Sequence, residues 1–211
     1  TILRINEEEM SGTLNDEIIG DLFVRVNSNG LDFDGVIIVD YGKGVWNDSM
    51  RISQFCDSIR RNEIPCLIST KYPENAMGCE SDITVCNLRE MDSFASRFVT
   101  IEEILRDRGV LAVANKLMCD NFVVTCGKLG AVICRRIDKK VTDVSGVGVG
   151  VEDSGIGSGD CFCAALMSEY IKTSNISSSV EFWNRFAAAL VSASLSRTYV
   201  PEDDVVSEER E

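Results

Sequence analysis

A chain of 211 residues, 45% hydrophobic and 26% charged, is long enough to bury a sizeable core and reads as a single domain. Lys and Arg total 21 against 34 Asp and Glu, and the resulting net charge of -13 repels phosphate backbones and anionic lipid headgroups, which argues against nucleic-acid and membrane-surface partners. Histidine is absent, which removes Ser-His-Asp triads, Cys-His pairs and His-ligated metals, and leaves acid–base chemistry to carboxylates, Lys, Cys or Tyr.

No apolar run approaches the roughly 18–20 residues of a membrane span, and the first residues lack the basic and apolar regions of a signal peptide. A soluble, cytoplasmic protein is expected. The nine cysteines are odd in number and scattered, form no CxxC pair, and often sit in apolar runs, as Cys66, Cys86, Cys126 and Cys134 do. They are expected to be reduced core thiols rather than a zinc site.

Ile2 to Ile5 predicts an edge strand, and a helix is expected near 16–27. Gly35 to Asp40 is a β-branched run ending in a tight, glycine-bearing loop, and reads as a buried strand. Asn47 or Asp48 then caps a helix through about Arg61, with Ile52, Phe55, Cys56 and Ile59 on one face, and residues 65–69 form the next strand. This strand–helix–strand order is a βαβ unit, which predicts a parallel sheet with a right-handed crossover.

Residues 83–86 predict a further strand running into Asn87, the cap of a short helix through Met91 and Phe94. Residues 101–116 read as mostly helix despite Gly109. The pattern then changes: 121–126, 131–134 and 140–144 read as three adjacent strands, at least two of them a hairpin around Gly127 to Gly130. A glycine-rich loop over 146–159 leads to an almost continuously apolar stretch, 160–171, expected as a buried helix, and a second helix spans about 180–198. The Gly146 to Gly150 alternation lacks the strand-before, helix-after context of a dinucleotide fingerprint.

The most informative stretch is Gly155 to Asp160. Glycines allow close backbone approach, and the free N–H groups at a helix start form a nest for an anion such as phosphate. A carboxylate there stands beside a bound phosphoryl group, where it could take the proton of an attacking hydroxyl. The simpler alternative is that Asp160 only caps the helix.

Gly157, Ser158, Gly159 and Asp160 resemble the GAGD signature of the ribokinase-like, phosphofructokinase-B-type family of sugar kinases. Asn87 to Glu90 is similar to the family's NxxE element, and Thr125 to Gly130 to its TxGxxG element. The loop Asp40, Tyr41, Gly42, Lys43, Gly44 resembles the DYxKG loop of the heptose-7-phosphate kinase branch, found in ADP-heptose synthases. The four elements occur in the family's order and cover about residues 36–200.

The resemblance implies a three-layer α/β fold with a mostly parallel central sheet, flanking helices and an antiparallel hairpin. It implies ATP and Mg²⁺ as cofactors and phosphoryl transfer to a sugar or sugar-phosphate hydroxyl. Asp160 would be the base, and the amides of Gly157, Ser158 and Gly159 the anion hole. Asn87 and Glu90 would hold Mg²⁺, largely through water. Thr125, Gly127 and Gly130 would serve the nucleotide, with Lys43 and Lys71 as anion ligands. Read from the residues alone, Asn87 and Glu90 are better explained as a capping box, and Thr125 to Gly130 could be an ordinary hairpin turn.

Several positions depart from the family pattern. Ser154 stands where the family has Asp, with Asp153 one place earlier. Ser69, Thr70, Lys71 and Tyr72 replace a DPKG-like turn, and Phe186 to Ala189 offers alanines where the family often places Asn. The family's front region, which contacts the sugar, has no counterpart, so the chain is expected to represent the C-terminal two-thirds of the fold, truncated at the N-terminus. An unpaired sheet edge there would favour a homodimer. Two other readings stay open: a non-catalytic nucleotide-binding member of the fold, and a nucleoside or vitamin-alcohol kinase.

Overall fold

The computed structural model describes residues 2–5, 16–27, 33–42, 49–100, 103, 109–146, 158–183 and 185. They form a seven-stranded sheet whose spatial order is the chain order: β1 (Ile2–Ile5), β2 (Gly35–Asp40), β3 (Cys66–Thr70), β4 (Ile83–Asn87), β5 (Asn121–Thr125), β6 (Gly130–Arg135) and β7 (Lys140–Ser145). Strands β1 to β5 are parallel. The β5–β6 and β6–β7 pairs are antiparallel. The helices are α1 (Asp16–Asn27), α2 (Ser49–Arg61), α3 (Leu88–Phe98), α4 (Val110–Leu117) and α5 (Ser158–Thr173), followed by helical residues 176–183.

The layering follows from connection geometry. Right-handed crossovers repeated in one direction across a sheet put every crossover helix on the same face. That face of the sheet, with Val36, Ile38, Ile68, Cys86, Phe122 and Val124, packs against Val26 of α1, Phe55 and Ile59 of α2, Phe94 of α3 and Leu117 of α4. Side chains alternate along a strand, so the residues between them point the other way. Ile37, Val39, Leu67, Val85, Val123 and Ile133 pack against Phe162, Leu166 and Met167 of α5, and against Ile176 and Val180. With both faces covered, the central parallel strands are apolar throughout, and β2 is buried along its full length.

The expected strands, the βαβ order and the hairpin are all present, and the helix after Asp160 begins two residues earlier, at Ser158. Two expectations are corrected. Gly109 does not sit inside a helix: its φ of +64° makes it the N-cap of α4, which starts at Val110. The stretch 160–171 is not wholly buried, because Cys161 and Ala164 are exposed while Phe162, Cys163, Leu166 and Met167 form the packed face. Asn47, Asp48 and most of 184–198 lie outside the described residues. Seven of the nine free thiols are buried. Burial pushes Cys119 up to about 12 and Cys134 to about 11, so these thiols stay protonated core groups. Among the described residues, no helix is long and apolar enough to cross a membrane.

The turn from β5 to β6 is a 3-10 helix, Gly127–Leu129, closed by Gly130 at φ +104°. A Cβ on Gly130 would lie 2.0 Å from the Val144 carbonyl oxygen and 2.4 Å from the Gly146 nitrogen, both backbone atoms that no side-chain rotation relieves. Gly130→Ala is therefore expected to cost about 2 kcal/mol or more, from the strained φ and the forced backbone shift. The loss would be read as a lower urea midpoint.

Candidate active site

In a parallel sheet every strand delivers its carboxyl end to the same rim, where ligands of open α/β folds bind. Here β2, β3, β4 and β5 end in Asp40, Thr70, Asn87 and Thr125. Pairing register aligns Asp40 with Thr70 and Asn87 with Thr125. The first turn of α5 arrives at the same rim from the opposite layer. Between them lies a cleft of about 200 Å³ whose lining includes Asp40, Tyr41, Lys71, Asn87, Thr125 and Asp160.

Asp40 organises the near side. It is 5% exposed, and such a carboxylate must be hydrogen-bonded. Its Oδ1 accepts the Gly42 amide at 2.8 Å, and its Oδ2 accepts the Thr70 hydroxyl at 3.0 Å and the Asn75 side-chain amide at 2.8 Å. The Lys71 amide donates to the Asp40 carbonyl at 2.9 Å. One residue thus fixes the loops leaving both β2 and β3. Gly42 takes φ +70°, and the Tyr72 ring fills the space a Cβ there would need. The Lys71 ammonium lies 6.0 Å from the centre of the Tyr72 ring.

Asn87 and Glu90 form a complete capping box at the start of α3. The Asn87 side chain accepts the Glu90 amide at 3.0 Å, and Glu90 Oε2 accepts the Asn87 amide at 2.8 Å. Burial raises the Glu90 carboxyl above its ordinary range, against the lowering effect of its bonds to Asn87 and of the Lys71 charge. A cation at the rim would favour its ionised form. No group of three Cys, Asp or Glu among the described residues is placed to hold a metal directly. Asn87 and Glu90 offer oxygen donors, the kind a hard cation takes.

On the far side, the Thr125 hydroxyl reaches the Cys86 carbonyl at 3.5 Å. Gly127 follows with φ +57°, and Gly130 closes the turn. Asp160 lies in the first turn of α5, after exposed Gly159. The Tyr41 phenol donates to its carboxylate, 2.6 Å from Oδ1 and 2.5 Å from Oδ2. Ser158 belongs to α5 by its backbone, while Lys43, Gly157, Asp153, Ser154 and 186–189 lie outside the described residues. Thus Lys71, Asn87, Glu90, Thr125, Gly159 and Asp160 converge on one cleft, with Gly127 and Gly130 in the adjacent turn. Sequence reasoning gave no role to Asp40, Tyr41 or Asn75. The loop resemblance contained the first two, and nothing in the sequence marked Asn75 as the third tie on Asp40.

Comparison with known proteins identifies the family and the fold. The model of the pfkB family of carbohydrate kinases matches residues 51–203, and the chain belongs to that family. It is similar to the bifunctional protein HldE of Haemophilus influenzae, at 25% identity over 156 residues, 70% of this chain and 31% of that protein. Among solved structures, phosphofructokinase-2 from Escherichia coli in complex with fructose-6-phosphate matches with a TM-score of 0.63 at 18% identity, over 84% of this chain and 57% of that one. Arabidopsis thaliana ribokinase complexed with ribose and ATP matches with a TM-score of 0.55 at 18% identity, over 84% and 52%. The fold is the ribokinase-like α/β fold. The chain spans a little over half the length of these solved relatives and about a third of the curated one.

The ties on Asp40 give a direct stability test. Asp40→Ala leaves the Gly42 and Asn75 amides without their acceptor, while the Thr70 hydroxyl can turn to the Tyr72 carbonyl at 2.9 Å, and is expected to cost about 2–3 kcal/mol in urea unfolding. Asp40→Asn keeps one carbonyl acceptor and should lose less.

Proposed function

We propose that this carbohydrate-kinase-family chain carries out ATP-dependent phosphoryl transfer to a hydroxyl of a sugar or sugar phosphate, with heptose 7-phosphate as the first acceptor to try. The observation that carries the reading is the meeting of Asp160, at the start of α5, with Lys71, Asn87, Glu90 and Thr125 around one strand-end cleft. The heptose branch is supported by the similarity to HldE and by the Asp40 to Gly44 loop.

In this reading Asp160 accepts the acceptor's proton as its oxygen forms a bond to the terminal phosphorus and the bond to the ADP oxygen breaks. The amides around Gly157, Ser158 and Gly159 donate to the phosphoryl oxygens as charge shifts onto them, and the α5 dipole adds to that field. Lys71, with Lys43, supplies positive charge to the phosphates. Thr125, Gly127 and Gly130 shape the nucleotide side, where the positive-φ turn lets a ligand approach the backbone. Asn87 and Glu90 would hold Mg²⁺ through water while keeping their capping bonds. ATP with Mg²⁺ supplies the transferable group and neutralises part of its charge. The rest of the work is positioning.

The test is ADP formation with Mg²⁺ against heptose 7-phosphate, fructose phosphates, ribose and adenosine. Asp160→Asn is expected to lower acceptor-dependent turnover by roughly 10²–10⁴ while nucleotide affinity changes little, as loss of a general base would. Equal turnover in the variant removes Asp160 from the mechanism. Bound ATP with no turnover on any acceptor points to a non-catalytic member of the fold.

A further inference from the structure

The contact between Tyr41 and Asp160 joins residues 119 positions apart and brings together the end of β2 and the start of α5. A phenol carries one proton, so its near-equal approach to both carboxylate oxygens is one O–H shared between them. The distances are those of a charge-assisted O–H···O⁻ bond. A short bond from the opposite wall restrains where the Asp160 carboxylate can swing about its Cα–Cβ bond, because swinging away breaks both contacts.

That restraint has work to do. A carboxylate in the first turn of a helix can swing back onto the free amides there. Glu90 does this at the start of α3. At α5 such a turn would place the carboxylate on the amides that the proposed reaction reserves for the phosphoryl group. The backbone at Tyr41 is held, since it follows the buried end of β2 and precedes Gly42, whose amide is bound by Asp40 Oδ1, while the residue itself is 38% exposed. The cleft therefore has a donor carried by one wall and aimed at a carboxylate on the other.

We propose that Tyr41 is a positioning residue for the base: its phenol O–H holds the Asp160 carboxylate toward the strand rim, oriented to receive the acceptor's proton. The inference rests on the reading of Asp160 as that base. Tyr41 acts through Asp160, so its effect should exist only where Asp160 is present, and should fall on kcat rather than on binding.

Two double-variant cycles on the full chain test this. In the kinetic cycle, Tyr41→Phe is expected to lower kcat roughly tenfold, with KM for ATP and acceptor within about twofold, and to add nothing to the loss caused by Asp160→Asn. In the stability cycle, Tyr41→Phe should lower the urea midpoint of the wild-type chain but not of Asp160→Ala. Unchanged kcat, or a Tyr41→Phe effect of equal size with and without Asp160, overturns the proposal. A wild-type chain without acceptor-dependent turnover counts against the kinase reading instead. The stability cycle then decides alone, coupling supporting the Tyr41–Asp160 restraint and additivity overturning it.

Discussion

Everything at the site depends on five parallel strands laid down in sequential order. Because each crossover returns the chain to the same starting edge, Asp40, Thr70, Asn87 and Thr125 reach one rim although they are spread over more than a third of the sequence. No single side-chain contact assembles them. Register does, through the pairing of Asp40 with Thr70 and of Asn87 with Thr125. A slip of one residue in β3 or β4 would turn Thr70 or Asn87 to the opposite face and bury the wrong set of that strand's side chains.

The reversal after β5 extends the same logic. Since β5 ends at the rim, an antiparallel partner must begin there, and the turn from Gly127 to Gly130 stays beside Thr125 instead of being carried to the far side of the sheet. The second helical layer completes the arrangement from the other direction. Helix α5 packs Phe162, Leu166 and Met167 on the sheet while its first turn, with Asp160, projects into the cleft. One helix thus closes a core and delivers a carboxylate. The exposed Cys161 and Ala164 lie between its buried positions, which is why a nearly uniform apolar stretch is only half buried.

What the sequence made legible follows the range of the physics involved. The β-branched runs, the capping pair Asn87 and Glu90 and the glycine-bounded hairpin are local signals, and each appears in the structure close to its expected bounds. The convergence of Asp160 with Asn87 and Thr125 was legible only through the order of family-like elements, since no local signal carries a contact across that distance. Asn75 stayed hidden because its bond to Asp40 is made by tertiary placement of a short 3-10 segment. Gly109 was misread because its composition resembles a tolerated helix interruption, whereas a positive φ makes it a boundary.

The two packed faces of the sheet are also separated along the chain. The first layer draws on α1 to α4, all N-terminal to residue 118. The second waits for residues 158–183. As the polypeptide leaves the ribosome, the sheet can acquire its first helical cover while Ile37, Val39, Leu67, Val85 and Val123 still form an open apolar surface. Such a surface is what holdase chaperones bind and what drives aggregation of nascent chains. The helix that closes it carries Asp160, so burial of that surface and completion of the cleft are one event in the life of the newborn protein.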